Sequence, residues 1–385
     1  MATLKDIARA LDLSITQVSR ALNDHSDVSE DTRLRVKDAA QAMNYHPNAS
    51  ARKLVSGRSG MVGLVVPQHR DIGQDGIFLE VVAGLSAQFS GRGMQFVLHI
   101  MAENEPAIPV YQKLIGKALL DGFVLIDPQD QDPRIDFLAR TGIAFVVHGR
   151  SGKVPGHPYF DIENEQLAYD LTAHVAARGH RRIAFLNGTS GRCYVTRREQ
   201  GYHRALRDSG AEDLPHLHLN GEMDEATGLT ATIRLFSGDA PRPTAILCGN
   251  VRLARGVYQA LSALNLTVPG DVSVVAHDDE LPSLRASAFF PALTVTKAPL
   301  RDSWEPLADC LAGAIAGKPL AELQRIGSFA FIERNSVADA PGIQSASNRC
   351  PKALWKLSFP KRFGFCRAFS GGKAGHQGRR WEENR

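Results

Sequence analysis

Cysteine is scarce and scattered. Cys193, Cys248, Cys310, Cys350 and Cys366 are odd in number and far apart, with no Cys-x-x-Cys pair and no zinc spacing. That excludes a small disulfide-stapled domain and reads as reduced thiols inside a cell. Long apolar runs are missing too: no window reaches the roughly 20 residues that a membrane span needs. Met1 leads straight into ATLKD, without a basic stretch followed by an apolar one, so a secretory signal is not expected and the cytoplasm is. Phosphate loops are absent as well. GRGM at 91–94 lacks a third glycine and precedes an apolar run instead of following one, and GGKA at 371–374 lacks Ser or Thr after its lysine. There is no Gly-x-Ser-x-Gly elbow and no His-Glu-x-x-His, and the thirteen histidines are scattered. Catalytic residues, a metal site and a cofactor are therefore not expected, and neither is an enzyme.

Charge of one sign is lacking over most of the chain. The total is +4, but residues 337–385 hold ten Lys/Arg against three acids, or +7, which leaves −3 on the first 336 residues. Total charge thus gives no reason to expect nucleic-acid binding, and such a reading needs a local motif. What is present is an ordinary globular composition, 43% hydrophobic and 22% charged. At ~150 residues per domain, 385 residues suit two or three domains.

The first sixty residues carry helical periodicity. Leu4, Ile7, Ala8 and Leu11 share one face of a helix capped by Thr3, with Asp6 three residues on as an approximate capping box. A break at Asp12-Leu13-Ser14 follows, and Asp tolerates the left-handed conformation that such a turn asks for. Ser14 caps a second helix, Ile15 to Leu22, with Val18, Ala21 and Leu22 inward. A third helix follows from Ser29, with Glu30 and Asp31 in its first turn and Val36, Ala40 and Met43 inward. Two short helices across a three-residue turn form a helix-turn-helix. In the linker Pro47 stops the third helix, Asn48 caps a stretch of about two turns, Ala49 to Val55, and Gly57 ends it. So short a helix is unstable alone in water and needs a partner surface.

Residues 1–57, read as TLKDIARALDLSITQVSRALN, then VS, then YHPNASARKL, resemble the lactose/galactose-repressor family of bacterial transcription regulators. The resemblance implies a cytoplasmic homodimer on a pseudo-palindromic double-stranded DNA operator. Ile15, Thr16 and Arg20 would reach base edges in the major groove, Arg20 with a guanine. Ser14, Ser19, Asn23, Ser29, Thr32 and Tyr45 match positions that touch phosphate or buttress the helix, and Thr3 is placed with this DNA-contacting set. Asn48 and Ala51 match hinge positions at the backbone and groove floor, and Leu54 matches an apolar wedge that opens a base step from the minor groove.

The middle of the chain alternates short apolar runs with amphipathic stretches. Strands are expected at 61–67, 95–100, 122–127, 144–149, 183–188, 245–249 and 272–278, and helices at 78–90, 164–178, 198–209 and 252–264, among others. Continuous apolar strands flanked by helices indicate parallel sheets covered on both faces, here two α/β lobes. Ligands of such folds bind at the carboxyl ends of strands, in the cleft between lobes. The resemblance continues through RGHRRI (178–183), REQGY (198–202), PTAILCGN (243–250) and VPGDVSVVAHDD (268–279), and it places closing strands at PALT (291–294) and ERNS (333–336). It implies an α/β periplasmic-binding-protein type I core behind the helix-turn-helix head. Arg198, Asp278 and Asn250 would hold a small-molecule effector, most readily a sugar, since hydroxyls want fixed donors and acceptors. Val251 stands where the family has an acid, Ala276-His277 replaces a Gly-aromatic pair, and Glu163-Asn164 replaces Asp-Asn.

The expected organisation is a head at 1–46, a hinge at 47–58, a two-lobed core at 59–336 and an atypical basic tail at 337–385 without order of its own. The alternative is a transport-type solute-binding protein of the same two-lobed fold.

Overall fold

The computed structural model describes residues 2–22, 24–45, 58–68, 76–102, 105–117 and 119–341. The head holds α1 (Leu4–Leu11), α2 (Ile15–Leu22) and α3 (Glu30–Ala42). Its caps are those the residues call for. Thr3 and Asp6 form a full capping box, Ser29 accepts from the Thr32 N–H, and Asp12 takes the left-handed conformation at φ 55°. Gln17 adds a device the periodicity did not suggest: its Oε1 accepts from the Ser14 N–H while Ser14 Oγ accepts from the Gln17 N–H, a reciprocal box at the start of α2. Ile7, Val18 and Val36 are fully buried, and Ala8, Ala21 and Ala40 fill the remaining core, so the three helices cross on small residues.

The first lobe contains β1 (Met61–Pro67), α4 (Gly76–Gly91), β2 (Gln95–Met101), α5 (Ala107–Gly116), β3 (Gly122–Leu125), α6 (Pro133–Thr141), β4 (Ala144–His148) and β5 (Tyr159–Ile162). The second contains α7 (Asn164–Ala177), β6 (Ile183–Asn187), α8 (Cys193–Ser209), β7 (His218–Asn220), α9 (Glu225–Ser237), β8 (Ala245–Cys248), α10 (Val251–Ala263), β9 (Ser273–Asp278) and β10 (Thr294–Lys297). The chain then returns to the first lobe for α11 (Trp304–Ile315) and β11 (Gln324–Gly327), and ends in the second with β12 (Ala330–Ile332). The sheets run β11-β5-β4-β3-β1-β2 and β12-β10-β9-β8-β6-β7. All pairings are parallel except β12 on β10.

The central strands of both sheets are buried on both faces, which is why they are continuous apolar runs. In β1, Val62, Leu64 and Val66 pack under α4 and α11, while Val65 joins α5 and α6 on the other face. In the second lobe Val274 and Ala276 of β9 pack with α9 and α10, and Val275 packs with α7 and α8.

Two boundaries differ from expectation. The strand expected at 291–294 starts only at Thr294, and 333–336 lies beyond the last strand. Ser336 instead clips the sheet, its hydroxyl donating to the Val274 carbonyl (2.6 Å) and accepting from the Thr294 N–H (2.8 Å). The core also continues past 336. Val337 is buried with the α7–α8 face, the Ala338 carbonyl accepts from the His180 ring (3.0 Å), and the Ala340 N–H donates to the Arg178 carbonyl (2.9 Å). Residues 342–385, the rest of the expected tail, lie outside the described residues, as does the hinge over 46–57.

Candidate functional site: an exposed helix face and an interlobe cleft

On α2 the buried positions Val18 and Ala21 turn Ile15, Thr16 and Arg20 outward. Ile15 leaves 44% of its surface in water, costly for a β-branched apolar side chain that could have been buried. Ser19 is half-buried beside them. Arg20 Nη1 donates to the Asp27 carboxylate at 2.5 Å, with both side chains about half exposed (52% and 50%). The Ser29 and Thr32 hydroxyls lie 2.8 Å apart at the start of α3. Tyr45 packs onto the head core, and Thr3 is exposed at its cap. Asn23, Asn48, Ala51 and Leu54 lie outside the described residues. The head is not basic. Over residues 2–45 it has six Lys/Arg against seven Asp/Glu.

The second cluster lies where the chain passes from the first lobe to the second. Arg150, just after β4, donates through Nε to Asp161 Oδ2 (2.7 Å). Asp161 Oδ1 accepts from Asn164 Nδ2 (3.0 Å), and Asn164 Oδ1 accepts from Arg198 Nε (2.8 Å). Arg198 Nη1 then reaches the Gly249 carbonyl (2.7 Å) at the end of β8. Four side chains thus form one line of alternating donors and acceptors across the two lobes. Gly201 makes this possible. A Cβ there would stand 1.9 Å from the Glu165 carbonyl oxygen, so α8 lies backbone to backbone on α7 and brings Arg198 onto Asn164. The motif REQGY therefore couples a polar residue to the small residue that positions it.

Burial pulls the Arg198 guanidinium below its usual range, opposed by Asp279, the Tyr194 phenol and Asp161. The Tyr194 ring sits 5.1 Å from its Cζ. Burial would raise the Asp279 carboxyl, but His277, Arg198 and His148 outweigh it and hold it below the usual carboxylate range. His277 Nε2 is 3.3 Å from Asp279 Oδ1. His148 belongs to the first lobe and stands against Trp304 and Phe160, at 6.1 and 6.4 Å between ring centroids. Burial holds its imidazole below the usual range, opposed by Asp161 and Asp279.

Of the three residues expected here, Arg198 is at the centre. Asp278 is buried, and its Oδ1 accepts from the Glu280 N–H (2.8 Å); burial pushes its carboxyl up, and the acid that acts on Arg198 is the next residue, Asp279. Asn250 is occupied as a cap of α10, accepting from the Leu253 N–H (2.9 Å) and donating to the Met223 carbonyl (3.0 Å). Arg150, Asp161, Tyr194, His148 and Asp279 were not anticipated. Glu163 joins the edge of the cluster at 3.4 Å from Arg150. Among the described residues no group of three or more His, Cys, Asp or Glu is arranged to hold a metal ion, and no helix is long and apolar enough to cross a membrane.

The mouth of the cleft is fastened as well. The Asp127 carboxylate pairs with Arg192 Nε (3.1 Å), Asp130 Oδ2 accepts from Thr196 Oγ1 (2.6 Å), and Arg197 Nη2 donates to the Gly152 carbonyl (3.2 Å). Each contact joins the first lobe to the start of α8 in the second.

Residues 3–48 match the bacterial regulatory proteins of the lacI family, and residues 172–337 match the periplasmic binding protein-like domain. Over 351 residues the chain is 34% identical to the HTH-type transcriptional regulator AglR of Rhizobium meliloti (strain 1021), spanning 91% of this chain and 98% of AglR. The structure of the transcriptional regulator CelR–cellobiose complex is 27% identical, with a TM-score of 0.64 over 87% of this chain and all of that one. The lac repressor dimer bound to operator and the anti-inducer ONPF shares the fold, with a TM-score of 0.71 at 24% identity over 88% and 99% of the two chains. With head and core both matched, and a regulator aligned nearly end to end, the chain belongs to the LacI family: it is a DNA-binding transcriptional regulator with a ligand-binding domain.

Proposed function

We propose that this regulator is a homodimeric repressor in the cytoplasm, that it reads a pseudo-palindromic operator through α2, and that a neutral sugar bound between its lobes sets its operator affinity. The line Arg150–Asp161–Asn164–Arg198, faced by Asp279, is the observation that carries the ligand class. Its guanidinium and carboxylate charges alternate and largely compensate each other. Fixed donors beside fixed acceptors suit hydroxyls that both give and take hydrogen bonds, and a second net charge would go uncompensated. Arg198 Nη2 is left over from the two bonds described and is the donor assigned to the ligand. The half-buried His148 ring, backed by the buried Trp304, offers a flat face for the apolar side of a sugar ring. The CelR complex with cellobiose supports this choice of class.

On the DNA side, Ile15, Thr16 and Arg20 are assigned to base edges, and Thr3, Ser14, Ser19, Asn23, Ser29, Thr32 and Tyr45 to phosphates or to support of the helix. Asn48, Ala51 and Leu54 of the hinge are assigned to the minor groove. Ligand binding favours one lobe arrangement over another, and the hinges of the paired chains follow that shift in population.

The test uses the full chain. Selection from random duplexes gives the operator, and calorimetry with a panel of neutral sugars, cellobiose included, gives the ligand. Arg198→Ala is expected to weaken ligand binding by at least about tenfold, the loss of charge-assisted hydrogen bonds, while leaving ligand-free operator affinity in place. Normal ligand response in that variant refutes the cleft, and failure to select any sequence refutes the operator reading.

A further inference from the structure

The half-exposed ion pair on the outer face of α2 contributes little to holding the head together. The Arg20–Asp27 contact spans half-exposed side chains outside the Ile7–Val18–Val36 core. The caps of α2 and α3 are made by Ser14, Gln17 and Ser29 instead. Its place on the reading surface suggests another use. Arg20 is the only cation of α2, and its Nη1 donates to the Asp27 carboxylate at 2.5 Å. Nearby, Asp24 similarly engages Lys37 at 2.6 Å. The described head carries more acids than bases, so it meets any duplex with little general attraction. Affinity drawn from phosphates alone does not depend on sequence, whereas a guanine offers two acceptors to an Arg fork.

We propose that Asp27 is a specificity-determining residue: it withholds the Arg20 charge from phosphates and gives it up, wholly or in part, only to a base edge that satisfies the guanidinium in two places. A single phosphate contact replaces one carboxylate contact by another anion and gains little. A bidentate base contact gains a second hydrogen bond, and it forms only where the base presents two acceptors, a condition that varies with sequence as a phosphate contact does not. Asp27 therefore lowers non-specific binding more than operator binding. The proposal rests on the assignment of Arg20 to a base.

The experiment measures binding of the full chain to its selected operator and to a scrambled duplex of equal length, across a salt series, for wild type, Asp27→Asn, Arg20→Ala and the double variant. Asp27→Asn is expected to tighten scrambled-duplex binding and to lower the operator-to-scrambled ratio about two- to fivefold, the range open to a half-exposed ion pair. The salt dependence on scrambled DNA should steepen by roughly 0.9 in log–log slope, one further phosphate neutralised. In the Arg20→Ala background, Asp27→Asn should leave the ratio unmoved. An unchanged ratio in the single variant overturns the proposal. So does the same gain with and without Arg20, because Asp27 then acts only as a general negative charge. If Arg20→Ala alone leaves operator preference intact, the assignment of Arg20 to a base has failed instead. Circular dichroism of Asp27→Asn should match wild type, since no cap or core contact is touched.

Discussion

Asp278 and Asp279 are adjacent, and their surroundings give them different work. Asp278 closes β9 and spends an oxygen on the Glu280 N–H, a contact that an amide oxygen serves as well. Asp279 holds its charge between His277, Arg198 and His148. Asp278→Asn should therefore change stability by less than about 1 kcal/mol, since the Glu280 N–H keeps its acceptor. Asp279→Asn should lower it by about 1–2 kcal/mol and weaken sugar binding, because the Arg198 charge loses its counter-charge. Urea unfolding and ligand calorimetry on the two variants check this, and the opposite ranking would return the ligand role to Asp278. From the sequence the pair DD was visible but not the choice within it. A strand alternates its side chains, and the point where β9 stops alternating is a tertiary fact.

At the scale of elements, the continuous apolar strands of four residues or more were legible and the others were not. MVGLVVP and AILC announce buried parallel strands, whereas YFDI, HLN and QRIG mix polarities within three or four residues and AFI is only three residues long. These four have no period to read, and pairing to neighbours makes them strands. Asp161, on one of them, was missed for that reason. The helix pair α7–α8 is the element on which the site depends. Gly201→Ala adds one methyl against the Glu165 carbonyl oxygen and should cost about 1–3 kcal/mol, typical of overpacking. It should also displace Arg198 and weaken the sugar response, while operator binding without ligand is kept. A variant as stable and responsive as wild type would show that the helices have room to separate.

The same lobe carries a titration. His180 is fully buried, and because the Ala338 carbonyl can only accept, Nε2 holds the proton and Nδ1 accepts from the Thr244 hydroxyl (2.9 Å). Burial keeps its pKa below the ordinary 6.5. The unfolded chain then takes up the proton first, so stability is whole above pH 6.5 and is lost as pH falls from there through the folded value. The urea midpoint should drop between pH 7.5 and 5.5, and His180→Asn should flatten that drop. An equally steep profile in the variant would assign the slope to other histidines.

For the whole molecule, the two-lobed core and its helical head could be read from the order of runs and caps, but the fastening of the cleft mouth could not. Asp127, Asp130, Thr196 and Arg197 are ordinary surface residues until the lobes are brought together. Replacing Asp127 and Asp130 together by Ala should favour the open arrangement, weaken sugar binding several-fold and raise the radius of gyration in solution scattering. Unaltered scattering and affinity would mean that these contacts follow closure without contributing to it.

The backbone passes between the lobes three times, at 162–164, between Lys297 and Trp304, and between Gly327 and Ala330. A body tied to another by one strap can swing in any direction; three straps side by side leave little but bending about the line that joins them. A molecule seated in the cleft is therefore felt at the far ends of both lobes as a turn of fixed axis, and only its angle is left for the ligand to choose.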